Sequence, residues 1–341
     1  MDFSVIIASR NRSVLVRAAI QSVRDQTHRS VEIIVVHDGS DAQHAPAYAA
    51  IRQELSACGS FIELRPTSQG HGQSYAYNRG AEVAQGAYLC FLDDDDTWTD
   101  PQHLSRAWTA LSAPGGQAEV YFSNQLAYLA DVPVKGPIWL EGLERQLAGR
   151  PPLSADGVRA VSVDDLMVCG NHAQVNILIV SRDLYGRVGG FDECIRYECD
   201  VDFYLRIIDC GNGLLYSPHY VSRHNVPDPS GSANMSTSLS PLAKAIARAQ
   251  VWNKAFFYSS SPAIRGAARR FKGYALRTQA TLLLKERRTR AAFSIGLEAL
   301  GTHFSFKWLA FCLYMGVRAV FGEPQVVNAP APSGTNRRTE V

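Results

Sequence analysis

Four consecutive carboxylates, Asp93-Asp94-Asp95-Asp96, follow the apolar run Ala87 to Leu92 and precede Thr97. Acids at that spacing repel one another, and a hard divalent cation held through carboxylate oxygens would offset the repulsion. The plainer alternative is a solvated acidic turn in which Asp96 or Thr97 caps a following helix. Three further groups have the types that chemistry needs. Ser9-Arg10 follows the run Ser4 to Ala8, Asp38 follows the run Val31 to Val36 in His37-Asp-Gly-Ser40, and the acids Glu198, Asp200 and Asp202 cluster later. Ser9, Asp38 and Asp93 each stand just past an apolar run, where open α/β sheets gather their ligands. That shared position favours a site over a solvated turn.

Periodicity shows which elements must position these groups. Ser4 to Ala8, Val31 to Val36, Phe61 to Leu64 and Ala87 to Leu92 read as strands, because short continuous apolar runs suit strands buried on both faces. Helical spacing over Val14 to Gln26, Ala45 to Ala57 and Gln73 to Ala84 separates them. This alternation predicts βαβ units on a parallel sheet. Beyond residue 100 the pattern loosens. Helices are expected at Leu104 to Leu111 and Asp200 to Ile208, and strands at Val175 to Val180 and Leu214 to Val221. Residues 130–160 read as loops, and 110–175 as a whole carry no clear pattern. From Pro241, three helical stretches are expected, near 241–257, 262–286 and 290–320. The tail from Glu323, with its Pro, Ala, Ser and Thr, reads as disordered.

The 341 residues are 46% hydrophobic and 19% charged, which excludes a disordered chain, a collagen-like repeat or a small disulfide scaffold. Seven scattered cysteines without a C-x-x-C pair argue against a zinc site and for free buried thiols in a reducing cytoplasm. No signal peptide is expected ahead of the first strand, and no stretch reaches the ~18 apolar residues of a spanning helix. The net charge of +2 hides a segregation: residues 261–320 hold 11 Lys or Arg against Glu286 and Glu298, a local balance of +9. Phe304, Phe306, Trp308, Phe311, Tyr314 and Phe321, beside Lys307 and Arg318, suit an interfacial helix. Arg269, Arg270, Arg287 and Arg288 suit anionic headgroups. A helical hairpin packed on the catalytic domain, with a solvated basic face, fits equally. No nucleic-acid-binding motif accompanies the charge.

The acidic motif fits two enzyme classes. One uses D-x-D to hold a metal that bridges the diphosphate of a nucleotide-sugar. The other, the haloacid dehalogenase-type phosphatases, ends an apolar strand in D-x-D-x-T, which Asp93, Asp95 and Thr97 match. That class also needs a downstream Lys and a later acidic pair, whereas Lys135 is the only Lys between Asp95 and Lys244 and no G-D-x-x-x-D follows. An ordered set of segments resembles a family 2 glycosyltransferase of the GT-A fold. The set is Ser4-Val-Ile-Ile-Ala-Ser-Arg-Asn-Arg12, Ser22-Val-x-x-Gln26-Thr27, Val31-Glu-Ile-Ile-Val-Val-His-Asp-Gly-Ser40, Asn78-Arg-Gly80, Gly86-x-Tyr88, Leu92-Asp-x-Asp-Asp96, Val188-Gly-Gly-Phe-Asp-Glu193 and Asp200-x-Asp202-x-x-x-Arg206. It spans about residues 3–235; the last hundred residues lie outside it.

The resemblance implies an α/β chain of GT-A type: a Rossmann-like, mostly parallel central sheet with flanking helices, plus a C-terminal helical extension. Residues 1–100 would form the nucleotide-sugar-binding half, 101–237 the acceptor-binding half, 238–322 the basic helical extension and 323–341 the disordered tail. The implied activity is inverting transfer from a nucleotide-sugar, as a rule a UDP-sugar, to a saccharide or lipid-linked acceptor with Mn²⁺ or Mg²⁺. Its setting would be polysaccharide or cell-envelope glycan synthesis, cytoplasmic or at the inner face of a membrane. Asp38 would hydrogen-bond the nucleotide base, with Ala8, Ser9 and Arg10 lining the same pocket. Arg79 would contact phosphate. Asp93 and Asp94 would face the ribose and the metal, Asp95 would contact the metal, and His224 would complete the metal site, touch the diphosphate or serve structure. Asn171 and His172 stand as candidates for the acceptor pocket. The general base would be Asp200, in register with Asp202 and Arg206, with Glu198 as the other candidate. Asp200 as a helix N-cap and Asp202–Arg206 as a structural i, i+4 pair are the plainer readings. The alternative functions are a phosphatase using Asp93 and Asp95, and a non-catalytic nucleotide-sugar-binding protein.

Overall fold

Along the first strand, Phe3, Val5 and Ile7 enter one buried cluster and Ile6 enters another, so both faces of the strand are covered. Alternation of side chains across a strand requires a continuous apolar run for such a position. The computed structural model describes residues 1–56, 59–113, 118–135, 138–227 and 235–321. The disordered tail expected over 323–341 and Cys58 lie outside them. The first part of the chain runs β1 (Phe3–Ser9), α1 (Ser13–Arg24), β2 (Val31–His37), α2 (Ala45–Leu55), β3 (Gly59–Glu63), α3 (Gln73–Val83), β4 (Tyr88–Asp93), β5 (Thr97–Trp98) and α4 (His103–Leu111). It continues through β6 (Val120–Leu129), β7 (Val132–Pro133), α5 (Glu141–Gln146), β8 (Arg159–Val161), α6 (Val163–Cys169), β9 (Leu178–Ser181), α7 (Arg182–Arg187), α8 (Cys199–Cys210) and β10 (Leu214–Asn225). The helices α9 (Met235–Ser238), α10 (Pro241–Tyr258), α11 (Pro262–Lys285), α12 (Thr289–Thr302) and α13 (Phe306–Phe321) follow.

One sheet carries the strands in the order β3-β2-β1-β4-β9-β6-β10-β5, with β7 paired to β6 and β8 to β10. The parallel sheet expected from the βαβ pattern holds for β3-β2-β1-β4 and for β6-β10. Elsewhere the sheet is mixed: β9 lies antiparallel between β4 and β6, and β5 is antiparallel to β10. The direction of β9 matters for the site. It leaves the rim at which β4 ends, so Gln174 and Asn176, just before it, lie beside Asp93.

Three expectations need correction. The span 110–175, read as patternless, contains the ten-residue strand β6 at the sheet's centre and the helix α6. Buried Ser123, Asn124 and Gln125 interrupt the apolar pattern of β6. Arg223 and His224 lie within β10 rather than after it. The third C-terminal stretch is two helices, α12 and α13, broken where Arg277 holds His303 Nδ1 at 3.1 Å. The expected buried thiols are also only partly so: Cys90, Cys199 and Cys312 are buried, but Cys194 and Cys210 are exposed, and all five are free. In the extension, α10 packs on α8 and α11, α11 reaches α6, and α12 and α13 follow in succession.

Candidate active site

The acids at the end of β4 do not point freely into solvent. Asp93 Oδ1 accepts from Gln73 Nε2 at 2.5 Å and from the Tyr77 hydroxyl at 2.8 Å; its Oδ2 accepts from Gln174 Nε2 at 2.6 Å. Asp94 takes the Ser9 hydroxyl at 2.7 Å and Arg12 Nη1 at 3.0 Å. The same Arg12 nitrogen lies 3.0 Å from Asp95 Oδ2. Asp96 is fully buried: Oδ1 accepts from the Asn225 amide at 2.7 Å, and Oδ2 meets Asn176 Nδ2 and, at 2.7 Å, His224 Nδ1.

Carboxylate oxygens of Asp93, Asp95 and Asp96 all lie within 4.8 Å of one another. Burial raises the carboxyl pKa of Asp93, and the charges of Asp96 and Asp95 push it further. Asp95 is raised by burial and by Asp96. Burial carries Asp94 up to about 6, even though Arg12 pulls the other way. Three hard oxygen donors, in a group of four acids that Arg12 and His224 only partly offset, match the needs of Mg²⁺ or Mn²⁺. Asp95 is the most open of the cluster with Arg12, its side chain 21% exposed against 7% for Asp94. Burial lowers the His224 pKa, but the hydrogen bond and charge of Asp96 outweigh it and raise the ring overall. With Nδ1 given to Asp96, the other ring nitrogen is the one left to act as a ligand, an arrangement common behind metal-binding imidazoles.

The other expected residues fall into two groups. Ser9 joins the acid cluster, and the Asp38 amide donates to the Ser9 carbonyl at 2.9 Å. The Asp38 carboxylate accepts from the backbone amides of His71 at 2.8 Å and Gly72 at 2.9 Å, so it organises the loop ahead of α3. Gly70 and Gly72 sit at φ +68° and +99° there, values that a side chain would strain. Ala8 precedes Ser9 on β1, and Arg10 reaches the Thr67 and Ser68 carbonyls of the same loop. Arg79 is not with the acids. It pairs with Glu82 at 2.7 Å and Glu193 at 3.3 Å and lies over the Tyr75 ring, so the phosphate contact expected of it has no support in its placement.

Asp200 is the second residue of α8, and Glu198, not Asp200, precedes the helix as its cap. Asp200 Oδ2 lies 3.2 Å from His172 Nε2. Burial raises the Asp200 pKa, but the His172 hydrogen bond and charge more than reverse this and leave it below its ordinary value. Two routes tie this group to the acids. Cys199 Sγ approaches Gln73 Oε1 at 3.5 Å while Gln73 holds Asp93, and His172 stands two residues before Gln174, which also holds Asp93. The pair Asp202–Arg206 is buried, at 2.8 Å, as its i, i+4 spacing led one to expect.

Sequence reasoning passed over Arg12, Gln73, Gln174 and Asn176, and gave Asp96 only a capping role. Arg12 had a signal, since it closes the Ser9-Arg-Asn-Arg run. The amides had none, because nothing local distinguishes a Gln that will meet a carboxylate eighty residues away.

Known proteins carry the same architecture. Residues 4–124 match the family described as Glycosyl transferase family 2. The putative glycosyltransferase EpsH of Bacillus subtilis is 30% identical over 129 residues, 38% of this chain and 35% of that protein. The GalNAc(5)-diNAcBac-PP-undecaprenol beta-1,3-glucosyltransferase of Campylobacter jejuni is 31% identical over 120 residues, 35% of this chain and 36% of its own length. The chain thus matches about a third of the length of these curated relatives. S. aureus TarS 1–349, solved in complex with UDP-GlcNAc, superposes with a TM-score of 0.66 at 14% identity, over 94% of this chain and 89% of that one. Through residues 4–124 the chain matches glycosyl transferase family 2, and it does so on a sheet of GT-A type.

Proposed function

We propose that the chain transfers a sugar from a nucleoside-diphosphate sugar, a UDP-sugar, to a saccharide or lipid-linked acceptor, with inversion. The observation that carries this reading is the convergence of Asp93, Asp95 and Asp96 within 4.8 Å at the end of β4, joined through Gln73 and Cys199 to the start of α8, where Asp200 stands. Residues 1–100 serve the donor, with Ala8, Ser9, Arg10, Asp38, Asp93 and Asp94 on the nucleotide side. Residues 101–237 serve the acceptor, and 238–322 form the helical extension. The relatives' names support the donor and the setting: TarS was solved with UDP-GlcNAc, and the C. jejuni protein is named for a diphosphoundecaprenol acceptor.

Asp95, with Asp93 or Asp96 and His224, would hold Mn²⁺ or Mg²⁺. When bound, such an ion supplies charge stabilisation to a departing diphosphate. Asp200 accepts the proton of the acceptor hydroxyl as that oxygen attacks the anomeric carbon, and His172 fixes the orientation of the carboxylate. The phosphatase alternative would need a lysine beside Asp93, whose oxygens instead accept from Gln73, Tyr77 and Gln174. Lys135, which that reading would require in the site, is exposed.

Among the described residues no helix is long and apolar enough to cross a membrane. The exposed face of α13 nevertheless carries Phe306, Leu313, Val317, Val320 and Phe321, and no acid lies between Glu298 and its end. That supports contact with an anionic membrane from the cytoplasmic side. A second copy on this face would bring like charge against like charge. Flotation with phosphatidylglycerol vesicles tests it: Leu313→Ser with Val317→Ser should abolish flotation, and a wild type that never floats would remove the membrane from the proposal.

Calorimetric titration of UDP, GDP and dTDP, each with and without Mn²⁺, tests the donor site. One nucleotide should bind only with metal, and Asp95→Ala should lose it. Absence of any metal-dependent binding would overturn the reading.

A further inference from the structure

The extension has no part in the chemistry above, yet α10 is tied to α8 along its length. At the start of α8, Arg248 Nε donates to Glu198 Oε1 at 2.6 Å, and Arg248 Nη2 pairs with the same oxygen. One turn on, Lys254 Nζ lies 2.8 Å from Asp202 Oδ1 and 2.7 Å from Asp192 Oδ2. Near the end of α8, Asp209 accepts from the Ser259 hydroxyl at 2.9 Å and from the Ser260 and Ser261 amides at 3.1 Å each.

The first of these ties is the informative one. Glu198 holds φ +61°, a left-handed conformation that a residue without glycine's freedom adopts only when its surroundings impose it. Its side chain is only 12% exposed. Two residues on, Asp200 faces His172. Two carboxylates at one helix start would compete for the same imidazole and the same proton. Arg248 removes that competition by neutralising one of them.

We propose that Arg248 is a positioning residue of the transferase: by pairing with Glu198 it withdraws that carboxylate and leaves Asp200, held by His172, as the one base α8 presents. The inference rests on the transferase reading and deepens it, since it makes the extension a working part of the acceptor side. His172 touches Asp200 and the Tyr204 ring, and the charges that act on it are Asp200, Glu198 and Arg248. Glu198 favours the imidazolium and Arg248 opposes it. Loss of Arg248 therefore leaves Glu198 unopposed, puts more proton on His172, and sets Glu198 against Asp200 for that ring.

The test uses the full chain and three readouts. The first is UDP affinity with Mn²⁺ by calorimetry. The second is turnover, as UDP released from the UDP-sugar that wild type consumes in a panel. The third is the His172 ring titration by NMR on nucleotide-free protein, assigned by its loss in His172→Gln. Arg248→Ala should cut turnover at least tenfold, keep UDP affinity within twofold and raise the His172 pKa. Arg248→Lys should recover at least half of the turnover. Glu198→Gln added to Arg248→Ala should also recover turnover, because the charge to be neutralised is gone. Wild-type turnover in Arg248→Ala, a double variant no faster than the single one, or an unmoved His172 titration would each overturn the proposal. So would an Arg248→Ala chain that fails to fold, since the pair with the 12%-exposed Glu198 would then serve the fold rather than position the base. If wild type binds no UDP with Mn²⁺, the donor reading falls, and the His172 titration still decides this one.

Discussion

The acids at the end of β4 and those around α8 are held by different balances of neutral and charged partners. At the end of β4, Asp93 is gripped by neutral donors, two glutamine amides and a tyrosine hydroxyl, one guanidinium is shared between Asp94 and Asp95, and Asp96 has His224 beside two neutral donors. Carboxyl pKa values there are raised. On the α8 side, each acid has a cation of its own or a share of two. Asp200 meets His172, Glu198 meets Arg248, and Asp202 lies between Arg206 and Lys254. The Asp200 and Asp192 pKa values are lowered: burial works against this, and the hydrogen bonds from His172 and Lys254 prevail. Neutral hydrogen bonds fix geometry while leaving the charge on Asp93 uncancelled, which suits the cation proposed there. Ion pairs fix geometry and cancel charge, which is what a scaffold around a single base needs.

The sharpest way to break this contrast is to remove one acid from each rim and read both binding and turnover. Asp200→Asn should lower kcat by roughly 10²–10⁴-fold and leave Mn²⁺-dependent UDP affinity intact. Asp95→Asn should lose that affinity. If both variants lost nucleotide binding, the rims would not divide the work as proposed.

The same contrast predicts opposite signs for stability. Asp202→Ala leaves Arg206 buried without its carboxylate, and breaking a buried pair from one side costs about 3–5 kcal/mol. Equilibrium denaturation should show that loss. Asp95→Asn in metal-free buffer should instead hold or raise Tm. The raised Asp95 pKa means that its charge disfavours the folded state. A destabilised Asp95→Asn would mean that its contact with Arg12 outweighs the repulsion from Asp96.

The contrast also explains what could be read in the sequence. The strands β1, β2 and β4 are apolar runs buried on both faces, and each ends at a site residue, so the β4 rim was legible from local pattern. Around α8 the determinants are long-range. His172 meets Asp200 twenty-eight residues away, and Arg248 meets Glu198 fifty residues away. Strand β6 was lost because Asn124 and Gln125 are polar and buried, their amide nitrogens donating to the distant Tyr216 and Gln174. The acceptor-side block was recognised only through its resemblance to a family, and the registration of Asp202 with Arg206 was its one local clue.

Packing offers a third and smaller test of how the regions differ. A Cβ on Gly80 would lie 2.4 Å from Ile6 Cγ2 and 3.2 Å from Val36 Cγ2, two stiff branched side chains in the sheet core. Gly80→Ala should therefore cost about 1–3 kcal/mol by overpacking. A Cβ on Gly296 in the extension would meet Met315 Cε at 2.5 Å and Cys312 Sγ at 3.3 Å. Methionine can turn away, so Gly296→Ala should cost less than about 1 kcal/mol. Parallel denaturation curves check the order, and a reversed order would mean that the extension is the more rigid body.

The smallest effect expected is the pH signature of the His172–Asp200 pair. Burial lowers the His172 pKa, but the Asp200 hydrogen bond and charge reverse this and leave it above its ordinary value. A raised histidine contributes its full stability below the unfolded value of about 6.5 and loses it as pH climbs through the folded value. Asp200 is depressed, so its share is present above an unfolded value of about 3.9 and lost as pH falls through the folded one. The pair therefore stabilises most between about pH 4 and 6.5. The side chains are 33% and 25% exposed, so screening holds the gain to about 1 kcal/mol or less. His172→Gln should lower Tm most near pH 5.5 and converge with wild type above the histidine's folded pKa. The β4 rim should tilt the other way in metal-free protein: as Asp94 ionises toward its value of about 6, the fold loses stability. A His172→Gln difference that grew with pH instead would mean that the ring is held neutral, and that His172 donates one hydrogen bond to Asp200 without bringing a charge.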